Sequence, residues 1–368
     1  MADRILFHAG FHKSGTTALQ YCFNKNRKAL KLNGINYLVT TGRAHHRPAW
    51  SLTERIWGWK EQGGEEIPAR VWVDFAARVR KSSGTLLISS EFFSEANADQ
   101  VVKVKRDLGS APTEVVFTVR PFVKVLASSY QQFLKYGIKL RYEQWLEEMF
   151  HNRQNSRHTP TFWQRAAVSE VVTRWTDVFG ASNISVLLAD EEKPHFIFDE
   201  FTRLLGLSEG FLQPSEVGGN RSMTADEVEL LWRVNNRFDR NRGWDEYRAM
   251  IREGYVDYLA DETQALPGSA RLLTPKWAID EAKKIQELDL SRLKHLGVKI
   301  SGDERGFGSP FVPEGSNAPI LKIDLDRVAQ ILVSYDLQAI ERFPLRILIQ
   351  ELKRRIRRYV RRKRKGVI

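Results

Sequence analysis

The segment His-Ala-Gly-Phe-His-Lys-Ser-Gly-Thr-Thr at positions 8–17 joins a short apolar run to an amphipathic stretch. It can be laid on the phosphate-loop pattern G-x-x-x-x-G-K-[ST], with Gly10 and Gly15 as the glycines and Thr17 as the final hydroxyl. Thr16 stands where that pattern has lysine, and Lys13 lies three residues earlier, inside the loop. Small residues let backbone N–H groups converge on an anion, and the N-terminus of the helix that follows adds partial positive charge. A lysine within the loop brings its point charge to the bridging oxygen of a bound anhydride, where negative charge develops as the bond breaks. The plainer alternative is a strand-turn-helix with a Gly-Thr cap.

A second anion site is expected where the apolar run 114–119 ends in Arg120-Pro121. Pro121 suits a first helical position, where its missing N–H costs nothing. Ser128, seven residues later, projects from the same side of that helix about two turns on, with Ser129 as a neighbouring alternative. For a proton acceptor, Glu91 follows the apolar run 85–89 and so stands at the carboxyl end of a strand. Phe92 and Phe93 are expected to raise its pKa by desolvation. His45 and His46, in the loop TGRAHHRPAW, are rival bases because an imidazole starts nearer neutrality, while His8 and His12 are read as shaping the loop. In Gly-Gly-Asn-Arg-Ser (218–222), Arg221 offers a guanidinium fork suited to phosphate oxygens, with a solvated capping loop as the alternative. Neither H-E-x-x-H nor an EF-hand pattern occurs, so no metal is expected.

The pattern H-x-G-x-x-K-S-G-T-T-x-L-Q resembles the 5′-phosphosulfate loop of sulfotransferases that use 3′-phosphoadenosine 5′-phosphosulfate (PAPS). The order strand, Arg, helix with R-x7-S-x-Y resembles the 3′-phosphate motif of the same family, although proline directly follows the arginine and the motif has no second arginine. ISSEFF at 88–93 is similar to the stretch that carries a catalytic glutamate in several carbohydrate sulfotransferases, and VLLADEEKPHFIFDEFTRLLGLS resembles an architectural strand, acidic turn and helix. Together these segments span about residues 4–225. The resemblance implies sulfuryl transfer from PAPS to a hydroxyl or amine. Lys13 would contact the leaving oxygen, and Ser14, Gly15, Thr16 and Thr17 would hold the 5′-phosphate. Arg120 and Ser128 would hold the 3′-phosphate beside Tyr130, with Arg221 as a clamp and Glu91 as general base. A P-loop kinase is the rival enzyme, disfavoured by Thr16 in the lysine position. A non-catalytic nucleotide-binding, membrane-associated protein is the other alternative.

The elements needed to position these groups are legible as alternation. Strand-length apolar runs at 4–8, 85–89, 114–119 and 184–188 are followed by helical patterns at 17–28, 98–108, 121–136 and 196–205. This predicts an α/β fold with a P-loop-like, mainly parallel sheet flanked by helices. Helical patterns at 224–238 and 278–288 predict a helical C-terminal extension. The expected organisation is a donor-binding core over 1–225, a helical extension over 226–301, a Gly/Pro/Ser-rich loop or linker over 302–319, and an amphipathic arm with a basic tail over 320–368.

Composition limits the partners. The chain has 57 Lys+Arg against 45 Asp+Glu, yet ten of those basic residues fall in KRRIRRYVRRKRK at 353–365, leaving 47 against 45 elsewhere. A body so close to neutral argues against a nucleic-acid partner. The tail is different, because Leu345, Leu348, Ile349, Leu352, Ile356 and Val360 recur at helical spacing among Arg and Lys. Such a helix suits an anionic membrane surface, with nucleic acid or plain solvation as alternatives. The lone Cys22 excludes an internal disulfide and reads as a small helix residue. With no apolar run of membrane-spanning length and no signal-peptide core, a cytoplasmic location is expected, possible also as peripheral attachment to the inner face of the membrane. Trp50, Trp57, Trp59 and Trp72 cluster before Glu91. Their flat faces suit a carbohydrate or glycolipid acceptor, with other small molecules as alternatives and core packing as the plainer role.

Overall fold

Along the strand β1 (Arg4–Gly10), Ile5, Phe7 and Ala9 join one hydrophobic cluster and Leu6 joins another, so β1 must be covered on both faces. The computed structural model describes residues 2–39, 42–153, 159, 161–190, 192–214, 221–256, 265, 268–308, 310–322, 325–326, 328–329 and 342–364. The further strands are β2 (Ile35–Tyr37), β3 (Ile56–Trp57), β4 (Glu65–Glu66), β5 (Thr85–Ser89), β6 (Thr113–Val119), β7 (Ile184–Leu188) and β8 (Lys299–Ser301). Six of them form one parallel sheet in the order β2-β5-β1-β6-β7-β8, and β3 and β4 form a small antiparallel pair. This is the α/β architecture that the alternation predicts.

Helices Thr16–Lys25 and Phe196–Leu204 cover one face of the sheet, burying Leu19, Phe23 and Phe201 against Leu6, Leu87 and Val116. Helices Arg70–Lys81, Ala98–Leu108 and Val168–Phe179 cover the other, with Trp72, Val104 and Trp175 against Phe7, Ile88 and Phe117. A third cluster joins helix Phe122–Leu134 to helices Ala225–Arg237, Trp244–Tyr247 and Lys276–His295. Cys22 is buried in the first of these helices.

The structure refines two expectations about organisation. Residues 226–301 are not purely helical, because β8 pairs with β7 and completes the main sheet. A strand of three residues is too short for an alternation pattern to reveal it. Residues 302–319 are tied to the body: Thr274 N–H donates to Pro313 O at 2.9 Å, Gly315 N–H to Thr274 O at 3.1 Å, and Asn317 Nδ2 to Glu143 Oε1 at 2.8 Å. The Gly/Pro content there serves a loop that follows the surface, the first of the two expected forms. Beyond it, helix Leu345–Arg364 carries the basic tail, with Lys365 outside the described residues. Among the described residues, no helix is long and apolar enough to cross a membrane.

The topology fixes where chemistry can occur. Since β1 lies between β5 and β6, the chain leaving Gly10, Ser89 and Val119 emerges side by side at the carboxyl edge of the sheet.

Candidate active site

Backbone conformation prepares the first loop. Gly10 has φ +92°, and a Cβ there would stand 2.4 Å from Glu91 Cα, so glycine lets the end of β1 touch the segment leaving β5. Gly15 caps helix Thr16–Lys25 with φ +86°, and a Cβ placed on it would meet nothing within 4 Å. Space is therefore open beside the loop. The first helical hydrogen bonds run from Ala18 and Leu19 N–H to Gly15 O, so the amides of residues 14–17 precede the helical ladder and are directed to its N-terminal side. Lys13 itself has φ 64°, a left-handed conformation that costs a non-glycine residue about 1–2 kcal/mol. Glu54 shares this conformation, so what singles out Lys13 is its place at the tip of the glycine loop.

Under the loop runs a buried polar chain. Ser89 Oγ and His8 Nδ1 are 2.8 Å apart, His8 Nε2 and Thr118 Oγ1 3.1 Å, and Thr118 Oγ1 and Ser14 Oγ 2.8 Å; Ser14 Oγ donates to Phe11 O at 2.7 Å. Burial lowers the His8 pKa to about 4 against the opposing pull of Glu91, so its ring is neutral and ties β5, β1 and β6 together. The expectation that His8 shapes the loop matches this placement. Ser14 supports the loop through its hydroxyl, which leaves its amide for a ligand.

A cavity of about 330 Å³ opens above this chain. Lys13, Gly15, Thr16 and Thr17 form one side, and Glu91, Phe92, Gln132, Tyr136, Arg55 and Arg165 contribute to the rest. Lys13 Nζ donates to Gln132 Oε1 at 3.1 Å. Burial first, then the charges of Lys135 and Arg165, lower its pKa to about 7 against a partial counter-pull from Glu91. Glu91 accepts from Gln20 Nε2 at 2.9 Å, and its Oε2 lies 3.8 Å from His46 Nδ1. Here the expected pKa direction is reversed. Burial does push the Glu91 carboxyl up, but His46, His12 and the Gln20 amide together outweigh it and hold the group below the usual carboxylate value. Phe92 packs edge-on against the rings of His46 and His12, so it orders both imidazoles around Glu91 as well as desolvating it.

Glu95, one turn along the short 3-10 helix Glu91–Glu95, organises the floor. It accepts an ion pair from Arg55 Nη1, lies 2.9 Å from His12 Nε2 and is 3.9 Å from Arg165 Nη1. Burial opposes its ionisation, yet Arg55, His12 and Arg165 bring its pKa down to about 2. Sequence reasoning missed Glu95, Arg55, Arg165, Gln20, Gln132 and Tyr136. Glu95 left a signal, a second carboxylate four residues after Glu91 in ISSEFFSE. The arginines left none, because their partners are 40 and 70 positions away.

The remaining expected residues divide. Arg120, at the end of β6, is close enough to depress the Lys13 pKa and so joins the site electrostatically. Ser128 is half-buried, and its hydroxyl donates to Val125 O at 3.0 Å within its own helix. Ser129 is buried, and the Tyr130 hydroxyl donates to Leu140 O at 3.0 Å. Of the 218–222 loop, residues 218–220 lie outside the described residues. Arg221 forms a two-pronged pair with Glu227, both contacts 2.7 Å, so its fork is already matched to a carboxylate at the start of helix Ala225–Arg237. His46 joins Glu91, but His45 does not. Ser89 N–H donates to His45 Nδ1 at 3.1 Å, the ring lines a separate cavity, and burial lowers its pKa to about 3, which makes it a structural neutral imidazole instead of a rival base. Trp72 is core, 1% exposed. Trp50 and Trp57 stack at 6.1 Å, and Trp57 Nε1 donates to the Tyr136 hydroxyl at 3.0 Å, so this pair backs the cavity wall.

No protein-family model matches this chain. No curated protein matches it either. Among solved structures it is similar to a sulfotransferase from Alicyclobacillus acidocaldarius, with a TM-score of 0.39 and 15% identity over 64% of this chain and 92% of that one.

The geometry has definite chemical capacity. A loop of amides with a lysine at its tip can neutralise charge that develops on an anion, and the ionised Glu91 carboxylate, just beyond the end of β5, can accept a proton. Tyr136 adds a polarised hydroxyl. Burial raises its pKa, but Arg252 and Arg55 outweigh burial and bring it below the ordinary tyrosine value.

Proposed function

We propose that this protein transfers a sulfuryl group from PAPS to a hydroxyl or amine of an acceptor. The observation that carries this reading is Lys13, held at the loop tip in a cavity whose adjacent wall presents Glu91. The site fits the donor chemically, since Gly15 leaves open space beside the amides of residues 14–17 and Arg120 adds a cation at the neighbouring strand end. The amides of Ser14, Gly15, Thr16 and Thr17 would take the 5′-phosphate, and Arg120 with Ser128 the 3′-phosphate. Arg221 would join only by exchanging Glu227 for phosphate. PAPS supplies an activated sulfuryl group on an anhydride oxygen. Lys13 then neutralises the charge left on that oxygen, while Glu91 accepts the acceptor's proton. No divalent ion is assigned a role.

The Glu91 carboxyl, held below the usual carboxylate value, is ionised near neutral pH and so is in the form that accepts a proton. A kinase reading is weaker because Thr16 occupies the usual lysine position. The Trp50–Trp57 stack favours a sugar-bearing acceptor, a carbohydrate or glycolipid. Two experiments test the assignment. Adenosine 3′,5′-bisphosphate should raise the melting temperature where ATP does not, and mass spectrometry of mixed glycans, glycolipids and alcohols incubated with PAPS should reveal sulfated products. Stabilisation by ATP alone, with phosphorylated products, would transfer the assignment to a kinase.

A second reading concerns the tail. In helix Leu345–Arg364 the apolar residues Leu345, Ile349, Leu352, Ile356 and Val360 share one face and are 42–71% exposed. With Arg and Lys around them, this helix suits the anionic inner face of a cytoplasmic membrane. Vesicles containing phosphatidylserine should co-sediment the full-length protein and not a form truncated at residue 344. Equal recovery of the two forms rules the membrane role out.

A further inference from the structure

Arg165 is the cation in the cavity that the proposed chemistry leaves unexplained. It is 8% exposed, rises from helix Phe162–Ala166 and lines the same cavity as Lys13. A guanidinium carries five donors and, once buried, requires acceptors. Among the described residues, its ion pair is with Glu95 at 3.9 Å, beyond hydrogen-bond distance, the Phe133 ring lies 4.5 Å from Cζ, and Tyr136 and Glu91 add only through-space attraction. The Glu95 carboxylate is already engaged by Arg55 and His12. Burial lowers the Arg165 pKa to about 10, and its charge in turn depresses that of Lys13. An oxyanion on the side of Arg165 that faces Phe92 and Tyr136 would supply the acceptor its guanidinium lacks.

We propose that Arg165 is the centre of an oxyanion subsite on the acceptor side of the cavity, so that the acceptor is an acid whose carboxylate, sulfate or phosphate lies close to the group that is sulfated. Its location supports the acceptor over the donor. Helix Phe162–Ala166 packs on the 3-10 helix Glu91–Glu95, the wall that carries the proton acceptor, and Arg165 contributes to the cavity with Phe92 and Tyr136 and not through the amide loop. The inference rests on the sulfuryl-transfer reading.

The test uses the full-length protein, inorganic sulfate as the probe and isothermal titration calorimetry. Sulfate should bind the complex with adenosine 3′,5′-bisphosphate and also the complex with PAPS, whose own sulfuryl group fills the donor position. Arg165→Gln should weaken sulfate at least tenfold in both while changing nucleotide affinity less than threefold, and Arg165→Lys should restore part of the loss. If PAPS abolishes sulfate binding, or Arg165→Gln weakens PAPS much more than the bisphosphate, the guanidinium serves the donor and the proposal fails. Unchanged sulfate binding in Arg165→Gln also overturns it, as does a product screen in which only uncharged acceptors are sulfated. Failure of the nucleotide itself to bind would instead remove the sulfuryl-transfer reading, and sulfate titration of the free protein and of Arg165→Gln would still report on Arg165.

Discussion

The cavity and the C-terminal helix use the same residue types in opposite ways. In the cavity, Arg55 is fixed by Glu95 and lies over the Phe92 ring, and Lys13 is anchored on Gln132. In helix Leu345–Arg364, Glu351 pairs with Arg354 and Arg355 at 2.6 and 3.1 Å, Arg346 reaches Asp245, and the basic residues from Lys353 to Arg358 are exposed. A buried cation persists only where geometry compensates its lost hydration, so its position is specific and its removal is felt in chemistry. An exposed cation keeps its water and contributes a field that salt screens within about 10 Å. On the reading proposed above, the contrast separates residues that would decide what the molecule does from residues that would decide where it is held.

The hardest test of that contrast is Lys13→Met, which keeps the chain length and removes the charge. Transfer from PAPS should fall about 10³-fold, the scale for losing one preorganised electrostatic contact. The melting temperature should hold or rise, because a buried lysine whose pKa is lowered to about 7 destabilises the fold while charged. Proportionate loss of stability and activity would make Lys13 structural. Glu91→Gln should cost about 10²-fold in kcat, within the range for general acid–base groups. The Gln20 bond can survive that change, since an amide oxygen still accepts, so a near-normal KM for the donor is the companion expectation.

How much of this was legible in the sequence follows the range of the interactions. The loop and the four longest sheet strands were readable because their signals are local: glycine at positive φ, apolar runs, and a helix just after the turn. The Glu91 position was readable for the same reason, but the direction of its pKa was not. Desolvation by Phe92 is local, whereas His46 and Gln20 arrive from 45 and 71 positions away. His45 and His46 are adjacent in sequence and have opposite fates, since one ring binds the backbone of Ser89 and the other meets Ser90 Oγ and Glu91. Only the packing of helix His46–Leu52 against the 3-10 helix Glu91–Glu95 distinguishes them.

A smaller effect comes from pH. In the free protein Lys13 is protonated below about pH 7 and loses its charge above it, because burial and neighbouring cations favour the neutral amine. The value of kcat/KM for PAPS, which reports the free protein, should therefore fall on the alkaline side of about pH 7, up to tenfold per unit. In kcat the same limb should move to higher pH, since a bound anion favours the charged amine. Lys13→Arg should shift the limb out of the accessible range. A kcat/KM profile that stays level from pH 7 to 9 would mean that Lys13 does not act through its charge.

The smallest expected effect is on the other side of the comparison. Truncation after residue 344 removes ten clustered basic residues and the exposed face of Leu345, Ile349, Leu352, Ile356 and Val360. The tail charges from Lys353 to Arg358 are exposed and line no part of the cavity, so turnover of a water-soluble acceptor should stay within about twofold in 0.15 M salt, where screening acts within about 8 Å. The same truncation should flatten any salt dependence of the association rate with anionic vesicles. If turnover in solution instead collapsed at unchanged melting temperature, the tail would belong to the site, and the division between cations that do chemistry and cations that give location would not hold for this protein.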